Sequence, residues 1–207
     1  MDSTDGKRGS RPAWAGNPPQ AEAARQRLLE AAARCIAREG IAATTVAGIA
    51  AEAGVSRQTV YRYFEGRDQV ALRAVLAAAE GIRVKVDRAI RALDDPADMV
   101  VETVMLGLAE ARGDPVLRAI WDSSPVDGPV FVRITGRPGL TWLRKTIGPV
   151  IEATGWSEAE ADEAVELILR LFLSLIISPL PERNPEEMRA FLYRHLVPGL
   201  GLASEEE

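Results

Sequence analysis

The stretch Thr44–Arg67, TTVAGIAAEAGVSRQTVYRYFEGR, decides how the rest of the 207-residue chain is read. Val46, Ile49, Ala50 and Ala53 recur at i, i+3, i+4 and i+7, so they share one face of a short helix. Thr44 or Thr45 stands where a side-chain oxygen can cap its start. Gly54 is free to take a left-handed backbone, which lets the chain turn sharply. Ser56 can cap a second helix, whose apolar pair Val60 and Phe64 lies four residues apart and folds back onto the first. Two short helices joined by a tight glycine-containing turn make a helix-turn-helix.

The second helix points Gln58, Tyr61 and Arg62 away from its Val60/Phe64 face, and Arg57 splays outward from the first turn. Such side chains reach base edges and phosphates, and the first turns of such a helix are the part that enters a major groove. The order of residues narrows this further. The run T-V-x-x-I-A-x-x-A-G-V-S-x-x-T-V-Y-R-Y-F-x-x-R resembles the DNA-binding signature of the TetR family of transcriptional regulators. Its most characteristic part is the Val-Tyr-Arg-Tyr-Phe block with a basic residue opening the next helix. Arg67 stands where that family most often has Lys, and both hold phosphate. The resemblance implies a double-stranded DNA operator as partner. It also implies that Thr45, Tyr63 and Arg67 hold phosphates while Arg57, Gln58, Thr59 and Tyr61 meet base edges, Tyr61 against a thymine methyl.

Composition agrees with a head and a body of different character. Hydrophobic residues make up 47% and charged residues 27%, the profile of a soluble globular protein. The net charge of -5 divides unevenly: residues 1–67 carry ten Lys and Arg against seven Asp and Glu, and the rest carry fifteen against twenty-three. A basic head on an acidic body fits contact with DNA at one end only. The single Cys35 excludes an intrachain disulfide and fits a reducing cytoplasm; with Leu28, Ala32 and Ile36 it lies on a core-facing stripe. The opening MDSTDGKRGSRPAWAGNPPQ has no apolar segment of a secretory signal. The most apolar run, Leu167–Ile177, contains Arg170 and is too short to cross a bilayer. A soluble, cytoplasmic protein without membrane contact is expected.

The all-α reading follows from punctuation along the chain. Residues 1–20, rich in Gly, Pro and Ser, read as a flexible arm, in which Lys7, Arg8 and Arg11 could brush phosphates. Ala21–Glu39, ended by Gly40, completes a three-helix DNA-binding domain over 21–67. The ligand-binding and dimerisation domain, 68–207, begins within a helix from Arg67 to about Leu93, about 39 Å long at 1.5 Å per residue. Asp95-Pro96 and Asp114-Pro115 open helices at about 96–111 and 115–122. Pro125, Gly128, Pro129 and Gly136 interrupt the chain, and helix resumes at about Gly139 and runs to Ala153. Ser157 to Glu160 is a capping box for a helix reaching Ile177, and Asn184 to Glu187 caps a last helix to about Val197. No stretch reads as a strand.

Helix 157–177 is apolar on two faces: Val165, Leu169, Phe172 and Ile176 on one, Leu167, Leu171 and Leu175 on the other. One face must pack within the subunit and the other against a copy of it, so a homodimer is expected through Leu167, Leu171, Leu175 and, on the last helix, Phe191. Large side chains gather in the body, and Met99, Met105, Trp121, Phe131 and Trp142 are expected to line an apolar cavity, with Trp156 near them. The family resemblance implies that a small effector binds there, and that the protein is most often a repressor. Chemistry is poorly supplied: His195 is the only histidine, and no GxGxxG, Walker or HExxH pattern occurs. No catalytic residue, metal or cofactor is expected. The rival readings are an architectural DNA-binding protein without an effector and a small helical enzyme, which would need a buried acid–base pair.

Overall fold

The computed structural model describes residues 18–123, 135–178 and 181–202, and the regular structure within them is entirely helical. The helices are α1 (Pro18–Ala43), α2 (Val46–Ala53), α3 (Arg57–Tyr63), α4 (Arg67–Ile90) and α5 (Pro96–Gly113). They continue with α6 (Pro115–Ser123), α7 (Arg137–Thr146), α8 (Gly148–Thr154), α9 (Glu158–Ile177) and α10 (Pro185–Gly199).

The head is built as its residues dictate. Gly40 takes φ 80° and ψ 163°, outside the helical region, so the long helical path of α1 ends there as expected. A further short turn, anchored by the buried Ile41, follows the kink and is counted within α1. The buried Thr44 hydroxyl donates to the Gly40 carbonyl at 2.8 Å, and Thr45 is the residue that caps α2, accepting from Gly48 N–H at 3.0 Å. Gly54 is left-handed at φ 68°; its N–H and that of Val55 reach back to Ala51 and Ala50 carbonyls, closing the turn. Ser56 accepts from Thr59 N–H at 3.2 Å and starts α3. Leu28, Ala32, Cys35 and Ile36 of α1 meet Ile49, Ala50, Val60 and Phe64 in one buried cluster. Burial pushes the Cys35 thiol above its ordinary value, which keeps it neutral and inert. Across the surface of this core, Arg34 and Arg38 both bond Glu52 of α2, at 2.8 and 3.2 Å, and hold its carboxyl below the ordinary carboxylate range.

The body is organised around α5, which packs against α4, α6, α8, α9 and α10. Its face of Val100, Val101, Val104 and Leu108 is fully covered. Asp95 caps α5 through Ala97 N–H, and Asp114 caps α6 through Val116 and Leu117 N–H. The helix expected over 139–153 is two helices, because Ile147 leaves the helical region (φ -91°, ψ 16°) ahead of Gly148-Pro149. The expected capping box at Ser157/Glu160 forms, and the expected cap at Asn184 proves to be a capping box with Glu187. Helix α10 continues through Pro198 to Gly199, two residues past its expected end. Helix α1 packs on both α4 and α6, so the head is seated on two body helices. Among the described residues no helix is long and apolar enough to cross a membrane.

Candidate nucleic-acid interface and interior cavity

Helix α3 presents Arg57, Gln58, Tyr61 and Arg62 on its exposed side, with Tyr61 57% exposed although it is a large aromatic. Nothing in the head's packing requires that exposure. Thr45 is also exposed, at the start of α2. The remaining residues expected to meet DNA are partly engaged within the protein. Thr59 is half-buried, its hydroxyl 3.0 Å from that of Ser56. Tyr63 is half-buried with the Arg62 guanidinium 5.1 Å above its ring. Arg67 donates from Nη1 to the Ala42 carbonyl at 3.3 Å and from Nε to Asp68 at 2.9 Å. It thereby ties the end of α1 to the start of α4, a role its place in the sequence did not suggest.

A cavity of about 110 Å³ lies in the body between α4, α5, α6, α7 and α9. Trp121 and Trp142 line it, whereas Met99 and Met105 do not. The lining face of α5 is Thr103, Val104, Gly107 and Ala111; Met99 is buried one turn earlier and Met105 lies about 100° around the helix from Val104. Phe131 lies outside the described residues. Sequence reasoning missed Gly107 and Phe172, which define one wall: a Cβ at Gly107 would lie 3.2 Å from Phe172 Cε2. The available signal was a glycine inside an apolar helix, costly unless close packing needs it. The Nε1 of Trp142 is buried without a hydrogen-bond partner among the described residues. No Asp, Glu, Lys, Arg or His occurs among the described residues of the lining. Trp156 borders a separate surface groove with Leu167 and Leu200.

On the outer side of α9, Leu167 is 39% exposed and Leu171 half-buried. Leu175 is only 7% exposed and belongs to the subunit core, which corrects its expected place in a dimer seam. Each i+4 step drifts about 40° around a helix, so two steps from Leu167 carry Leu175 toward the covered side; it lies one heptad from the buried Ile168, a displacement of only about 20°. Phe191 of α10 is half-buried under the Arg183 guanidinium, 4.2 Å from its centroid, with His195 5.0 Å away on the next turn. Among the described residues no three His, Cys, Asp or Glu side chains are grouped to hold a metal ion.

A three-helix head with an exposed recognition helix, set on a helical body with an interior apolar cavity, defines a helix-turn-helix DNA-binding protein. Residues 28–74 match the model of the bacterial regulatory proteins, tetR family. The chain is similar to an uncharacterized HTH-type transcriptional regulator of Mycobacterium tuberculosis, 27% identical over 183 residues, 86% of this chain and 85% of that protein. Its fold is that of the TetR family repressor AlkX from Dietzia sp., implicated in biodegradation of n-alkanes (TM-score 0.63, 24% identity, 86% of this chain and 95% of that one). RolR, solved in complex with resorcinol, shares the fold too (TM-score 0.64, 20% identity, 92% of this chain and 97% of that one). Residues 28–74 thus form the DNA-binding domain of the bacterial regulatory proteins, tetR family, and the described chain as a whole has the fold of solved TetR-family structures.

Proposed function

We propose that this regulator is a homodimeric repressor that holds a palindromic operator with α2 and α3 and releases it when a small, largely apolar effector fills the body cavity. In this reading residues 21–67 are the DNA-binding domain, 1–20 an arm before it, and 68–207 the sensing and dimerisation domain. Arg57, Gln58, Thr59 and Tyr61 meet base edges. Thr45, Tyr63 and Arg67 hold phosphates. The exposed side of α9, with Leu167 and Leu171, meets the same face of a second copy, and Phe191 of α10 joins it.

The observation that carries the reading is the makeup of the cavity wall. It is shared by α4, through Val75, Ile82 and Val86, and by α6, through Leu117 and Trp121. These are the two helices on which α1 of the head rests. A ligand entering there presses on both supports of the reading head. Two recognition helices related by a two-fold axis must match half-sites about 34–36 Å apart, so a small displacement of either head breaks the match. The cavity is of the order that takes a single ring, since an apolar cavity of about 150 Å³ binds benzene. RolR, which shares this fold, binds the one-ring compound resorcinol.

The test is selection of DNA from a random pool by the full-length protein, followed by titration of the selected complex with small neutral aromatics. A two-fold-symmetric site and a ligand that lowers operator affinity are expected. A selected site of a single half, or a body-bound ligand that leaves operator affinity unchanged, would refute it.

A further inference from the structure

The cavity also specifies what its occupant must carry, granted that it is the effector site. We infer that the effector is a neutral, mainly apolar molecule of about one ring whose hydrogen-bond acceptor is taken by the indole N–H of Trp142. Two threonines of the wall are already committed as donors: Thr103 gives its hydroxyl proton to the Met99 carbonyl at 2.8 Å, and Thr146 gives its own to the Trp142 carbonyl at 2.9 Å. Trp142 differs from them. Its Nε1 is buried, with no hydrogen-bond partner among the described residues. An indole nitrogen only donates, so no rotation or change of tautomer turns it into something the apolar wall can satisfy. Buried donors left unpaired are rare and costly, and one at a ligand cavity marks where the ligand completes the structure. The completing group is a carbonyl, ether or hydroxyl oxygen.

The same wall sets the charge. With no Asp, Glu, Lys, Arg or His among its described residues, an ionised ligand would leave water without a counter-charge. Room for about 110 Å³ sets the size. Polar discrimination by a buried donor exceeds discrimination by shape alone, because the wrong ligand leaves the donor unmatched.

The experiment uses the full-length protein with its selected operator and three probes of one shape. Acetophenone bears a carbonyl where α-methylstyrene bears a methylene, and benzoate carries a charge. Affinities are measured calorimetrically for the wild type and for Trp142→Phe, which keeps an aromatic ring and removes the N–H. Acetophenone should bind the variant about three- to tenfold more weakly relative to α-methylstyrene than it binds the wild type. The Trp142 indole resonance, identified among the four tryptophans by its absence in the variant, should move downfield with acetophenone and stay with α-methylstyrene. Benzoate should not bind. An unchanged ratio between the two proteins, an unmoved resonance in the wild type, or benzoate binding tighter than acetophenone would overturn the inference. Should the neutral probes release the operator while the ratio is unchanged, the cavity remains the effector site and only the Trp142 assignment falls. Should none of them bind, or bound probes leave operator affinity unaltered, the effector-site reading falls and this inference with it.

Discussion

Gly107→Ala should separate the stability of the protein from its response to an effector. Gly107 is buried inside α5, where alanine is preferred over glycine by about 1 kcal/mol of helix propensity. The added methyl would stand 3.2 Å from Phe172 Cε2, a contact that needs a few tenths of an ångström of relief. Phe172 is half-buried and borders the cavity, so its ring has space to yield. Stability should therefore stay level or rise by up to about 1 kcal/mol. The space that yields is the space the ligand needs. A methyl group occupies about as much as a water molecule, about 30 Å³, against a cavity of about 110 Å³. Overfilling a fitted site by that amount costs about 1–3 kcal/mol, or a loss of about five- to 150-fold in affinity. Thermal melting, calorimetry with acetophenone, and anisotropy of labelled operator measure the three quantities separately. The expected pattern is unchanged operator affinity, unchanged or higher melting temperature, and a release curve shifted by the same factor as the ligand affinity. Acetophenone binding to Gly107→Ala within twofold of wild type, with release intact, would show that the ligand sits elsewhere.

Leu171→Glu should yield monomers or insoluble protein in sedimentation, because it sets a carboxylate in the proposed seam; a wild type that is itself monomeric at micromolar concentration would contradict the dimer. Gln58→Ala should relax preference at one base pair, costing about 1–3 kcal/mol against the best site, whereas Arg67→Ala should weaken binding to every sequence and lower the salt slope by about one. Equal losses on all sequences from both variants would overturn that division of roles. The Glu52 carboxyl, held low first by Arg34 and then by Arg38, stabilises the head fully above the ordinary carboxylate value of 4.5 and loses that contribution as pH falls through its lowered folded value. Urea midpoints should therefore fall on acidification below that range, less steeply in Glu52→Gln; parallel profiles for the two proteins would show that the bridge contributes nothing.

The helices were legible because their ends are written in residues with one local meaning. Gly54 and Ser56, the Asp-Pro pairs at 95–96 and 114–115, and the two capping boxes act on their own backbone, and each sits in the structure where its chemistry placed it. Gly40 breaks the helical path where expected, and what its position did not announce is the short further turn anchored by the buried Ile41. Residues whose roles depend on another element were harder to read. Periodicity put Leu175 on a stripe but could not tell how far around α9 the subunit core extends. Bulk suggested Met99 and Met105 for the cavity wall, although the space beside Phe172 owes as much to the absence of a side chain at Gly107. The bond from Arg67 to the Ala42 carbonyl joins residues 25 apart and has no sequence signal at all.

That bond bears on how the proposed switch would reach the head. Covalently, the head leaves the body at one place, the start of α4. A head held there alone would pivot, and a shift in the body would reach the recognition helix weakened by the freedom of the joint. The structure supplies further points of attachment. Arg67 ties the end of α1 to the first turn of α4, and α1 packs against α6 as well as α4. With these attachments together the head would follow any change in the angle between α4 and α6. Both helices line the cavity, α4 through Ile82 and Val86 and α6 through Leu117 and Trp121. A one-ring ligand that parts them by a fraction of its own width would tilt α1, and α2 and α3 would travel with it because Glu52 and the shared core bind them to α1. The coupling is reciprocal, so operator-bound protein should take up ligand more weakly by the factor with which ligand weakens the operator, typically about 1–3 kcal/mol. Under the proposed reading Arg67 would have two duties, holding phosphate and holding α1. Arg67→Lys, which keeps the charge and loses the fixed fork toward Ala42, should preserve operator affinity better than it preserves release by ligand.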